Sequence, residues 1–185
     1  GLLPPPQYFP LNVKMNKDGY DDFQNVLERS AQALSPKDFE AVANETDAVV
    51  LDVRHQNDFS KGHIPRSIFI GLDGNFAPSV GALIADVKQS ILLVTPEGSE
   101  EETITRLSRV GFDQTLGYLK GGFEAWKKAD KEYDTVSSIS ATVFKGVKES
   151  GGVRLFDVRE EGEYLSEHVL DANNTPLAYL NNHLS

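Results

Sequence analysis

Two short runs constrain the fold more than any other part of this chain: "AVVLDV" at 48–53 and "ILLVT" at 91–95. Each is continuously apolar rather than alternating, the pattern of a strand covered on both faces, as in a parallel sheet. Parallel strands need long crossovers, and the stretches around these runs carry helical periodicity instead. Ser35 is a good N-cap residue and is followed by Pro36, which suits the first helical position; Phe39, Val42 and Ala43 form the apolar face behind it. "SIFI" (67–70) reads as a second strand and "FAPSVGALIADV" as the helix after it. "ETITRLSRV" places Ile104, Leu107 and Val110 at helical spacing. "QTLGYL" (114–119) is strand-like, and "GGFEAWKKA" is a tight turn leading into a helix that aligns Phe123 with Trp126. Strands alternating with helices predict an α/β domain with a central parallel sheet flanked by helices. An amphipathic stretch around "DDFQNVLERS" precedes it, and Pro4, Pro5, Pro6 and Pro10 suggest a stiff linker over residues 1–34.

The order of elements then repeats. "SPKDF" at 35–39 returns as "SATVF" at 140–144, and "LDVR" at 51–54 as "FDVR" at 156–159. Phe59 matches Tyr164, His63 matches His168 and Leu72 matches Leu177, all at one offset of 105 residues without a gap. The second copy has counterparts of the first helix and the first two strong strands. It has none for "ILLVT", the loop after it or "GYLKGGFEAW". Half an α/β domain leaves strand edges and apolar faces uncovered, so a covering partner is expected, either the first domain or another copy of the chain.

Composition narrows the functional classes. A net charge of −10 argues against nucleic acid and anionic membrane as partners. No apolar run is long enough to span a bilayer, and "GLLPPPQYFP" lacks the basic start and apolar core of a signal peptide, so the cytoplasm is the expected location. The chain opens at Gly1 and its one methionine is Met15, which points to processing or to a piece of a larger polypeptide. Cysteine is absent, which removes thiolate catalysis and thiolate metal sites. His55, His63, His168 and His183 have no metal-site spacing, so no metal is expected in this chain. "GLDGNFAP" (71–78) lacks the Gly-Lys-Ser/Thr ending of a nucleotide loop and reads as a turn into a helix.

Several spaced elements together resemble the rhodanese-homology family. "LDVRHQNDFSKGHIPRSIFIGL" is similar to its D-x-R…F-x-x-G-H-I-P motif, and "GYLKGGFEAW" to its closing L-x-G-G-(x)3-W motif. The resemblance covers residues 35–132 in full and implies a rhodanese-like domain there. Residues 133–185 resemble only the front half of a second such domain, with Leu170 where the first copy has Pro65. Active members of the family carry sulfane sulfur on a cysteine at the end of the fourth strand, in a loop whose N–H groups converge on an anion. The resemblance puts Thr95 at that cysteine position, followed by Pro96, Glu97, Gly98, Ser99, Glu100 and Glu101. A threonine hydroxyl is a poor nucleophile without a neighbouring base, and glutamates repel an anionic donor. Ser99 followed by Glu102 is a capping-box pattern, and Glu100–Glu102 suit a helix N-terminus, so the loop is expected to be filled by its own carboxylates.

Asp52, Arg54 and His55 are candidates to line the pocket; for Asp52 and Arg54 a structural ion pair at the strand end is the stronger expectation. His63 reads as a satisfied turn histidine and Trp126 as core. The order of segments also resembles the C-terminal part of metallo-β-lactamase-fold proteins fused to rhodanese domains, which resemble persulfide dioxygenases. That implies a zinc or iron site in a domain upstream of Gly1, none in this chain, and any catalytic cysteine of the second domain beyond Ser185. The expected function is a non-catalytic scaffold or docking module; a dimerisation module and a phosphatase reusing the pocket are the alternatives, the last lacking both the cysteine and the loop arginine it needs.

Overall fold

The computed structural model describes residues 23–182, and the chain divides into two compact units, up to Val136 and from Ser137. The proline-rich start and His183 lie outside the described residues.

The first unit includes regular structure inside the range 1–34 where a linker is expected. Helix α1 (Phe23–Ser30) and strand β1 (Ala33–Leu34) already belong to it. Val26 is buried, and β1 adds to the sheet edge by pairing in parallel with β5 (Thr115–Leu119). Gly117 makes this junction possible. It sits at φ 151°, and a Cβ there would lie 2.6 Å from the Gln32 carbonyl oxygen.

Helix α2 (Pro36–Glu45) starts where the sequence predicts: the Ser35 hydroxyl accepts the Asp38 N–H at 3.2 Å, and proline opens the first turn. Strand β2 (Val49–Asp52) follows, then the short helix α3 (Gln56–Lys61) and strand β3 (Ile68–Phe69). Helix α4 (Phe76–Leu83), strand β4 (Ile91–Val94), helix α5 (Glu100–Ser108), β5 and helix α6 (Gly122–Lys128) complete the unit. The five strands run in the order β1-β5-β4-β2-β3, all parallel. This is the expected α/β architecture. It also explains the two apolar runs, because β4 lies at the centre and all four of its residues are buried.

The sheet faces two cores. Leu51, Val53, Ile91 and Leu93 pack on one face against Val80, Ile104 and Phe112. Val50, Leu92 and Val94 pack on the other against Phe39, Phe123 and Trp126. Trp126 is core, as read: its ring meets Phe39 edge-on at 6.1 Å, and its indole N–H donates to the Glu132 carbonyl at 2.8 Å. "GLDGNFAP" is the turn into α4, held by the Arg106 guanidinium donating to the Leu72 carbonyl at 2.7 Å. After α6 the chain returns to His63, where Asp134 and His63 exchange backbone hydrogen bonds at 2.9 and 3.0 Å.

The second unit contains helix α7 (Ala141–Ser150), strand β6 (Phe156–Asp157), helix α8 (Glu161–Ser166), strand β7 (Asn173–Asn174) and a 3-10 segment over Leu177–Asn182. Strands β6 and β7 pair in parallel, in a register that reproduces Leu51↔Ile68 and Asp52↔Phe69 one offset later. Ser140 caps α7 as Ser35 caps α2. Within this unit Phe156 is 52% exposed and Val158 54%, whereas Leu51 and Val53 at the matching positions are buried.

Candidate functional site

In a parallel sheet the loops after the strand carboxyl ends gather at one edge, the usual place for a site in open α/β folds. Here the loops after β2, β4 and β5 surround a cleft of about 430 Å³. Arg54 lies at its base. Its Nε and Nη2 grip the Asp52 carboxylate at 2.9 and 2.6 Å, and Nη2 also donates to the Gly62 carbonyl at 2.8 Å. The guanidinium lies 4.3 Å from the centroid of the Phe123 ring. Asp52 is fully buried and Arg54 is 8% exposed. The structural ion pair is therefore present, and within it Arg54 alone faces the cleft.

His55 is placed differently from its expected role in the pocket. It is exposed and serves as the N-cap of α3, where its Nδ1 accepts the Asn57 N–H at 3.2 Å. It does not line the cleft. The residue after a strand-end arginine is where the backbone turns into α3, and that turn carries the imidazole away from the sheet. His63 is the satisfied turn histidine anticipated, stacked on Phe59 at 4.0 Å with Nδ1 3.0 Å from the Phe59 carbonyl.

The loop after β4 closes another side. Thr95 is 3% exposed and its hydroxyl donates to the Glu100 carboxylate at 3.3 Å. The loop is thus occupied by one of its own carboxylates, but not through a capping box. Ser99 has φ −101° and ψ 8° and its side chain makes no cap bond. A capping hydroxyl needs an extended backbone to point along the helix axis, and Ser99 lacks it. Instead its carbonyl accepts the Thr103 hydroxyl at 2.6 Å, and Glu102 pairs with Arg106 at 2.7 Å. Gly98 makes the turn at φ 82°, Pro96 and Glu101 are exposed, and Glu97 borders the cleft.

The remaining wall escaped the sequence reading. Lys61, Glu124 and Lys127 come from α3 and α6. The Lys127 ammonium bonds the Glu124 carboxylate at 2.9 Å and holds its pKa below the ordinary value. The usable signal was topological: "GGFEAWKK" follows β5, so its first turn must lie at the same sheet edge as the loop after β4. No cluster of metal-binding side chains occurs among the described residues, and no described helix is long and apolar enough to cross a membrane.

A parallel sheet with an arginine–aspartate clamp at its carboxyl edge and a strand-end loop wrapped on itself defines an α/β domain with a cleft at that edge. The profile of the rhodanese-like domain matches residues 35–129, and the chain belongs to that family. The chain is similar to the uncharacterized protein YibN of Escherichia coli, in strain K12 and in strain O6:H1. Each is 36% identical over 84 residues, which is 45% of this chain and 58% of the relative. The alignment thus spans little more than half the length of these relatives. Among solved structures, a rhodanese-like domain of the Alr3790 protein from Anabaena sp. is 17% identical with a TM-score of 0.49, covering 59% of this chain and 86% of that one. The 3-mercaptopyruvate sulfotransferase SseA of Escherichia coli is 13% identical with a TM-score of 0.46, covering 79% of this chain and 74% of that one.

Proposed function

We propose that these 185 residues act as a non-catalytic rhodanese-homology module with a scaffold or docking role. The observation that carries this is Thr95, at the strand end where the family's reactive cysteine is expected, with its hydroxyl bonded to Glu100. A persulfide needs a thiolate, and the chain has no cysteine. Glu100 brings a carboxylate to Thr95, the position an anionic sulfur donor would approach. Transfer of sulfur from thiosulfate to cyanide by the purified chain is expected to equal a buffer control; measurable turnover overturns the reading.

The larger context belongs to the same proposal. The module is part of a sulfur-metabolising hydrolase of metallo-β-lactamase fold, whose zinc or iron is held upstream of Gly1, and it works in the cytoplasm. Residues 133–185 are the front half of a second rhodanese-like domain. The bonds that recur at one offset support this: Arg159 grips Asp157 through Nε at 2.9 Å and donates to the Glu167 carbonyl at 2.8 Å, as Arg54 does to Asp52 and Gly62. His168 stacks on Tyr164 at 3.9 Å as His63 does on Phe59. If the parent is a sulfurtransferase, its cysteine lies beyond Ser185. The exposed Phe156 and Val158 favour a second role, self-association, which light scattering tests: a monomer in solution removes it.

A further inference from the structure

The cleft at the carboxyl edge of the first sheet is neither empty of charge nor dominated by one sign. Arg54, Lys61 and Lys127 face it, and so do Asp58, Glu97 and Glu124. Lys127 and Glu124 neutralise each other at 2.9 Å. Arg54 is paired with the buried Asp52 through Nε and Nη2, whereas Lys61, Asp58 and Glu97 make no ion pair among the described residues. Nη1 of Arg54 makes no hydrogen bond among the described residues, although the side chain is nine-tenths buried and its other nitrogens are fixed. The Glu97 and Asp58 carboxylates have no hydrogen-bond partner among the described residues either.

A dianion such as thiosulfate would meet these free carboxylates, and a simple cation would meet the clamped guanidinium. A ligand carrying both signs satisfies both ends. The floor suits a molecule with a peptide-like backbone, because Gly121 and Gly122, which line it, carry no side chain over their main chain. A Cβ on Gly122 would stand 3.4 Å from the Thr95 carbonyl oxygen. About 430 Å³ lies within the usual range for small-molecule sites, roughly 300–1,000 Å³. We propose that the cleft binds a small zwitterion, an amino acid or dipeptide, with its carboxylate on Nη1 of Arg54 and its ammonium on Glu97 and Asp58. Charge-assisted hydrogen bonds at each end give the recognition. This deepens the docking reading above and rests on the cleft being a non-catalytic binding site.

The test uses the whole chain and three probes: dialanine, its N-acetyl form and its C-terminal amide. Backbone amide resonances of Thr95 and Gly122 are followed during titration. Dialanine is expected to shift them saturably, and each blocked form to bind about tenfold or more weakly, as loss of one charged hydrogen bond implies. Glu97→Gln, an exposed change that leaves the core untouched, is expected to weaken dialanine about tenfold and the N-acetyl form little. No saturable shift with dialanine overturns the proposal, and so does equal binding of dialanine and its N-acetyl form. Sulfur-transfer turnover is a separate readout: it overturns the non-catalytic reading whether or not dialanine binds.

Discussion

The same Asp-Val-Arg turn occurs twice in this chain, at 52–54 and at 157–159, with nearly the same hydrogen bonds and different surroundings. Asp52 and Arg54 lie inside the first unit, with side chains 0% and 10% exposed. Asp157 and Arg159 hold the same geometry with side chains 12% and 46% exposed. Both arginines bond their aspartate twice and a carbonyl eight residues on. The comparison shows that the D-x-R turn is a local device. It assembles from a strand end and a helix that follows, and does not need the rest of the sheet. What the rest of the sheet adds is dielectric: it turns a solvated ion pair into one whose loss leaves a buried charge.

The comparison is most easily broken at the arginines. Arg54→Ala strands Asp52 without its partner in the interior, and a loss of about 3–5 kcal/mol is expected by urea denaturation. Arg159→Ala is expected to cost far less, since water reaches Asp157; equal losses would show that burial does not distinguish the two sites. The strand residues beside them sharpen the contrast. Leu51→Ala removes a fully buried side chain and is expected to cost about 2–5 kcal/mol. Phe156→Ala, at the matching position, is expected to change stability little, because its ring is already half in water.

Acid titration probes the exposed clamp of the second unit directly. The Arg159 hydrogen bond lowers the Asp157 pKa to about 2, with the Arg159 charge adding to it. The folded carboxyl thus binds its proton less readily than the unfolded one. Its contribution to stability is present above the ordinary aspartate range, near pH 3.9, and is lost as pH falls through about 2. Carboxyl carbon shifts should place the Asp157 midpoint near 2; a midpoint at the ordinary value would mean the exposed clamp is not closed in solution. The smallest effects concern the serines. Ser35→Ala is expected to cost about 1 kcal/mol, because a formed cap is removed. Ser99→Ala is expected to stay within about 0.5 kcal/mol, because no cap exists there.

That pair of serines also marks how far the sequence could be read. Strands buried on both faces announced themselves through unbroken apolar runs, and Ser35-Pro36 marked a helix start because residue preference and backbone geometry agreed. Ser99 carried the same preference, but whether a serine caps depends on its φ and ψ, and the turn after Gly98 sets those. Strand β1 has two residues, too few for any periodicity, and its place depends on a distant partner in β5. At the site, Thr95 and Arg54 were found from motif spacing, while His55 was misplaced because the direction of a side chain after a strand depends on the next turn. Lys61, Glu124 and Lys127 are ordinary surface-type residues; only the topology brings them together.

The first unit's chain enters and leaves at opposite margins of its sheet. Strand β1 forms one margin, and the return of Asp134 to His63 lies beside β3 at the other. Tension applied along the polypeptide at Ala33 and Asp134 reaches β5 from both sides, through the ladder to β1 from Ala33 and through the covalent chain of α6 from Asp134. The load falls first on the two-residue β1–β5 ladder and on the pair of backbone bonds between His63 and Asp134. The resistance of the unit to stretching is set by these few marginal bonds, and the buried central β4 is loaded only after they part.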